Sequence, residues 1–176
     1  MSGTPRQFTR TQKVALTALY LALSMTAFLL ESLLPPPVPL VPWAKYGFAN
    51  IFVLLALFTL GSWQAVLVLL AKCAFGGFFS GFLSVWYSLS AGLLSLLLGI
   101  LLYETCYRFF SLTAISAVCA AFHNLVQICM AAVLMSSPGL LWFGPLSAAV
   151  GLCAGLVTGL ASYFVLRVLR KRVVFR

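Results

Sequence analysis

The side chains best suited to chemistry in this chain are a few polar residues within long apolar stretches. Lys72 is flanked by Leu-Leu-Ala and Cys-Ala-Phe, with no acidic residue nearby in the sequence. A lysine in hydrocarbon costs at least about 2.5–3.5 kcal/mol on insertion scales, so it must pair, snorkel or face a wet cavity. Glu31, one of only two acidic residues, is its natural partner. We therefore expect Glu31, Lys45 and Lys72 to surround one outward-facing pocket.

A second polar group consists of His123, Asn124 and Gln127. His123 and Gln127 are spaced i, i+4 and share one face of a helix, with Asn124 adjacent. Amide and imidazole groups inside a membrane are costly unless they meet partners or a ligand. Two interpretations stay open: a hydrogen-bonded cluster that joins helices, or contact with a substrate.

The loop at 35–44 separates the first two apolar stretches and is rich in proline. Proline fixes φ and removes a backbone donor, so this loop must be extended or turning. With Glu31 before it and Lys45 and Asn50 after it, the loop is either a structured lid over a cavity or a rigid connector. Tyr87 and Ser88 add hydroxyl groups on the same, outer side of the membrane in the topology derived below.

No catalytic constellation emerges from the composition. The chain has a single histidine, two carboxylates and no aspartate, so it lacks the acidic clusters that hold Mg²⁺ on a diphosphate. No Walker A sequence is present, and the five cysteines form no C-x-x-C pair. We expect no enzymatic activity, no cofactor and no metal site, and we interpret the cysteines as small hydrophobic residues.

The composition indicates an integral membrane protein. Hydrophobic residues make up 63% of the chain and charged residues only 7%, a balance that a water-facing surface does not tolerate. The net charge of +9 comes largely from cations at the two ends. Cations beside membrane helices follow the positive-inside rule and attract anionic lipid, so they do not indicate nucleic-acid binding.

The pattern of apolar runs predicts an all-α protein with six transmembrane helices. The predicted helices span residues 13–34, 45–61, 63–80, 84–109, 112–135 and 141–169, between basic tails at 1–12 and 171–176. The transmembrane domain as a whole is 13–170. Six helices place both basic tails in the cytoplasm, whereas merging the second and third would separate them against the charge rule. The first stretch is too long for a signal-peptide core, so we expect a retained first helix.

Small residues recur at helical spacing in two of these segments. Gly151, Gly155 and Gly159 line one face of the last helix, where close internal packing is expected. The second set, on the first helix, consists of Ala15, Ala18 and Ala22. This alanine stripe suits either internal packing or a partner protein.

Several of these motifs, in order, resemble a bacterial membrane family. They are E-S-L-L-P-P-P-V-P from Glu31, K-x-G-x-A-N-I from Lys45, Lys72 with the glycines that follow it, Y-S-L-S-A-G-L-L-S from Tyr87, and H-N-x-x-Q from His123. The family is known as heptaprenyl diphosphate synthase component I and also as the Gx transporter family. Lys72 stands where arginine is more usual, and arginine would bind a phosphate or carboxylate in a bidentate manner.

The resemblance implies a substrate-binding subunit that spans a bacterial cytoplasmic membrane several times. The family is similar in size and helix pattern to the S-components of energy-coupling factor transporters, which bind a small molecule beneath the first outer loop. Those proteins dock on a T-component partly through an A-x-x-x-A stripe, which Ala18 and Ala22 match. We expect uptake of an amphipathic anion, such as an isoprenoid, a quinone precursor or a flavin-like compound, with a separate ATPase and T-component module. The alternative is a non-transporting accessory subunit of an isoprenoid or redox complex.

Overall fold

The computed structural model describes residues 8–35, 47–106 and 110–172. Its regular structure within these ranges is entirely helical, which confirms the predicted all-α class. The helices are α1 (Arg10–Ser32), α2 (Asn50–Thr59), α3 (Ser62–Ser80), α4 (Phe82–Cys106), α5 (Leu112–Leu134) and α6 (Gly144–Arg172), and a 3-10 helix (Pro138–Phe143) precedes α6.

Local signals set the beginning of α1. The Thr9 side chain accepts a hydrogen bond from the Gln12 backbone N–H at 3.3 Å, and the Gln12 side chain accepts one from the Thr9 N–H at 3.0 Å. This reciprocal capping box satisfies two amide groups that have no partner inside the helix. The helix therefore begins at Arg10, slightly before the predicted residue 13.

The second helix is shorter than expected. Gly47 has a φ of +84°, and α2 begins only at Asn50 rather than near Lys45, which lies outside the described residues. Ten residues rise about 15 Å, half of a hydrocarbon core of about 30 Å. Five helices in the described ranges are long and apolar enough to cross a membrane, and α2 is a shorter apolar helix beside them.

The first three helices nevertheless alternate in direction. The Ser24 hydroxyl donates to the Ala49 carbonyl at 3.0 Å, and the Thr59 hydroxyl donates to the Tyr20 hydroxyl at 3.3 Å. Later residues of α2 thus contact earlier residues of α1, which makes the two helices antiparallel. The chain then reverses at Gly61, whose φ of +107° an L side chain rarely adopts.

The remaining helices continue this alternation. A second glycine with positive φ, Gly81 (+88°), joins α3 to α4, which pack side by side. The Ser95 hydroxyl of α4 donates to the Cys119 carbonyl of α5 at 2.8 Å. Because the six segments alternate in direction, the beginning of α1 and the end of α6 lie at the same face, as the charge pattern predicts.

The glycine stripe of α6 packs against α5, which confirms the expected internal packing. A Cβ atom at Gly155 would lie 2.6 Å from the Ala117 Cα, and one at Gly151 would lie 2.7 Å from the Ala120 carbonyl oxygen. Backbone atoms cannot move aside as a flexible side chain can. The two helices can therefore approach this closely only because these positions lack side chains.

The alanine stripe of α1 faces outward. Ala15, Ala18 and Ala22 are all exposed, as are Leu19 and Leu23 beside them. In a membrane protein, lipid or a partner helix covers such a surface. The stripe is thus not used for packing among the described helices, and its role in partner docking stays a prediction.

We predict that Gly155→Ala destabilises the bundle by about 1–3 kcal/mol, the usual cost of overpacking. The measurement is thermal unfolding of the purified protein in detergent. Gly144→Ala is the matched control, because its new methyl group would meet only the Leu125 Cδ2 at 3.7 Å, an ordinary contact. Equal unfolding temperatures for the two variants would contradict the close approach of α5 and α6.

Candidate binding pocket

A polar pocket lies toward the end of the bundle where α1 ends and α2 begins. Its lining residues come from α1, the turn before α2, and α2 to α5; they are Phe28, Glu31, Gly47, Ala49, Asn50, Lys72, Cys73, Gly76, Gly77, Ser88, His123, Asn124 and Gln127. The cavity volume is about 50 Å³. This space suits a few water molecules or a small polar group, whereas pockets for drug-sized ligands measure about 300–1,000 Å³.

Lys72 provides the positive charge of the pocket. Its side chain is 9% exposed, and its ammonium group donates a hydrogen bond to the Asn50 Oδ1. An ammonium has three N–H donors, and within the described ranges Asn50 is its one hydrogen-bond acceptor. Two donor positions on the pocket wall therefore remain for water or a ligand.

Glu31 provides the negative charge. Its side chain is buried, and its carboxylate accepts a hydrogen bond from the Gly47 backbone N–H. The carboxylate also attracts the ammonium of Lys72 electrostatically. The structure thus brings together the acid and the base that the sequence analysis paired, although they are far apart in the chain. Lys45, the third member of that expected group, lies outside the described residues.

The three polar residues of α5 face the same pocket but have different partners. The Asn124 amide donates to the Ser147 carbonyl of α6 at 3.0 Å, so Asn124 joins two helices as well as lining the cavity. Gln127 is 4% exposed, and the described residues offer its side-chain amide no hydrogen bond. His123 is half-buried on the pocket wall. Asn124 thus joins two helices, as the first interpretation expects, whereas contact of this cluster with a substrate stays a prediction.

The structure describes the side chain of only one of the two hydroxyl residues predicted to line the site from α4. Ser88 lines the pocket and is half-buried. Tyr87 lies in α4, but its side chain is outside the described part of the structure. The binding role of the whole predicted set remains a prediction.

The sequence analysis did not assign the apolar part of the wall. Phe28, Ala49 and Cys73 line the pocket, together with two glycines of α3. A Cβ at Gly76 would lie 3.1 Å from the Phe28 ring, so this glycine lets α1 and α3 approach. The glycine pair after Lys72 was visible in the sequence, whereas nothing there indicated that Phe28 would face it.

The polar side chains of the pocket suit the binding of a small polar group. One cation, one carboxylate, three amides, one hydroxyl and an imidazole line the pocket, and these groups suit hydrogen bonding to a small polar or anionic group. No group of three or more potential metal ligands occurs among residues 8–35, 47–106 and 110–172.

We predict that the Glu31 and Lys72 charges are energetically coupled. Glu31→Gln keeps an acceptor for Gly47 but leaves Lys72 uncompensated, so a loss of about 3–5 kcal/mol is expected. Adding Lys72→Met should restore most of that stability, because no unpaired charge remains. Thermal unfolding of both single variants and the double variant measures the coupling.

Glu104→Gln is the control for this cycle, since Glu104 is exposed near the end of α4 and should tolerate the same change. Purely additive effects of the two pocket substitutions would show that the charges do not interact.

Comparison with known proteins identifies the family. The sequence model of one family, described as "Heptaprenyl diphosphate synthase component I", matches residues 20–165. No curated protein and no solved structure matches the chain significantly. The matched region begins within α1, ends within α6 and includes every residue that lines the pocket. With most of its length matched in this way, the chain belongs to the heptaprenyl diphosphate synthase component I family.

Proposed function

We propose that this protein is a non-catalytic membrane subunit that binds the charged head group of a small amphipathic anion beside Lys72. The observation that carries the proposal is the pair of buried polar groups on the pocket wall. Lys72 has donors beyond its bond to Asn50, and the Gln127 amide has no hydrogen-bond partner in the described ranges. Buried polar groups need partners, and a phosphate or carboxylate would supply acceptors to both.

The family description supports an isoprenoid as the compound. It names a prenyl diphosphate synthase component, and a prenyl phosphate combines an anionic head with an apolar chain. The cavity volume of about 50 Å³ sets the scale of the bound part. A phosphate-sized head fits such a space better than a whole flavin or quinone does.

The role that we propose for this binding is uptake. The subunit would capture its ligand at the outer end of the bundle in a bacterial cytoplasmic membrane, and a separate T-component with ATPases would supply the energy. The exposed alanine stripe of α1 supports such docking, because small residues allow a partner helix to approach closely.

An accessory role in an isoprenoid complex is the second candidate. The family name describes one component of a larger assembly. Several pocket residues also have partners within the protein, since Lys72 donates to Asn50 and Asn124 donates to the Ser147 carbonyl. A subunit of this kind would hold its polar groups together for stability and would recruit a soluble synthase.

We predict that Lys72→Met lowers the affinity for inorganic phosphate and short alkyl phosphates by about tenfold to a hundredfold, because it removes a charge-assisted hydrogen bond. Isothermal titration of the protein in nanodiscs measures this change. Lys13→Met is the matched control, since Lys13 is exposed near the beginning of α1. Equal affinities for the two variants would reject Lys72 as the anion-binding residue.

We predict that a tagged wild-type chain purified from native membranes carries ATPase and T-component subunits in stoichiometric amounts. Ala18→Leu with Ala22→Leu should release them, because the added side chains block close helix contact. Ala74→Leu, at another exposed alanine, on α3, should have no effect. Recovery of a prenyl synthase in place of the ATPases would reject uptake and support the accessory role.

A further inference from the structure

A second cavity lies directly behind the polar pocket. Asn50 and His123 line both cavities, so the two cavities adjoin at these residues. The second cavity, here called the inner chamber, also has a volume of about 50 Å³. The head-group site beside Lys72 does not extend into this space.

The two cavities are stacked along the helix axes. On α3, Lys72 lines the polar pocket and Leu69 lines the inner chamber. On α4, Ser88 lines the polar pocket and the lining of the inner chamber extends to Gly99. Eleven residues of helix rise about 16 Å, so the inner chamber extends well into the bundle. It leads away from the outer end and toward the face where α1 begins.

The walls of the inner chamber are chemically unlike those of the pocket. Apolar side chains such as Val53, Leu54 and Leu96 form much of its surface, together with glycines of α4. Its two serines have partners within the protein: Ser95 donates to the Cys119 carbonyl at 2.8 Å, and Ser116 pairs with Thr158 at 3.2 Å.

The polar groups deep in this wall are therefore satisfied. Water or an ion would find few partners in such a space, whereas an apolar chain needs none. In the polar pocket, by contrast, Lys72 and Gln127 keep donors available for a ligand. The pocket is therefore a polar site and the inner chamber an apolar one, and the two adjoin at Asn50 and His123.

From this arrangement we infer that the inner chamber is the subsite for the apolar chain of the same ligand whose anionic head lies beside Lys72. The inference rests on the proposed function. The small chamber accepts a chain of only a few carbon atoms, so the protein selects short amphiphiles. Asn50 and His123 surround the bond between head and chain.

The test is a series of ligands with one head and chains of increasing length: inorganic phosphate, ethyl phosphate, butyl phosphate and octyl phosphate. We expect affinity to rise by about fourfold per methylene group over the short chains. The rise should stop once the chamber is full. Isothermal titration of the full-length protein in nanodiscs provides the dissociation constants.

Leu54→Trp is the decisive variant, because a larger side chain at this half-buried position fills the chamber without touching the polar pocket. It should leave phosphate affinity unchanged and abolish the gain from ethyl to butyl phosphate. Leu97→Trp is the control, since Leu97 is 60% exposed on α4 and outside both cavities. It should keep the full dependence on chain length.

The possible failures are distinguishable. Phosphate binding that depends on Lys72 but not on chain length would overturn the chamber assignment and leave the proposed head-group site standing. A dependence on chain length that survives Leu54→Trp would place the chain elsewhere and overturn the assignment as well. Absence of binding by every phosphate in the series would overturn both proposals.

Discussion

The structure depends on one constraint, which is the placement of a lysine charge inside an apolar helix. Lys72 lies midway along α3, where hydrocarbon gives an ammonium group no hydrogen bonds. In the folded protein, Asn50 of α2 and Glu31 of α1 line the same pocket as Lys72, and Asn50 accepts a hydrogen bond from it. Both of those helices owe part of their position to this requirement, because moving either one away would leave a buried charge uncompensated.

The short helix α2 follows from the same arrangement. Gly47 has a positive φ and offers its N–H to Glu31, and the helix then begins at Asn50, the residue that accepts from Lys72. A helix that began several residues earlier would use the Gly47 N–H in its own hydrogen bonds, and Glu31 would lose this donor. The late start of α2 thus keeps a backbone donor for Glu31, while the Asn50 side chain reaches Lys72 from the first turn of the helix.

The pocket combines stability with binding capacity. Each charged residue satisfies part of its hydrogen-bonding need within the protein, yet Lys72 and Gln127 leave groups directed at the cavity. In the function that we propose, a small polar site of this kind would hold a head group rather than a complete large ligand. The apolar inner chamber adjoins this pocket at Asn50 and His123, and under the same proposal it would hold the apolar end of the amphiphile.

The sequence by itself determined that this is a membrane protein and that Lys72 needs a partner. It also predicted the limits of α5 to within one residue. Both results follow because hydropathy and helix capping act locally. Tertiary structure decided which residues meet. The contact of Phe28 with Gly76, the satisfaction of Asn124 by Ser147, and the inner chamber all depend on how separate helices are rotated against one another. Local patterns do not specify those rotations, since they arise from close packing between segments distant in the chain.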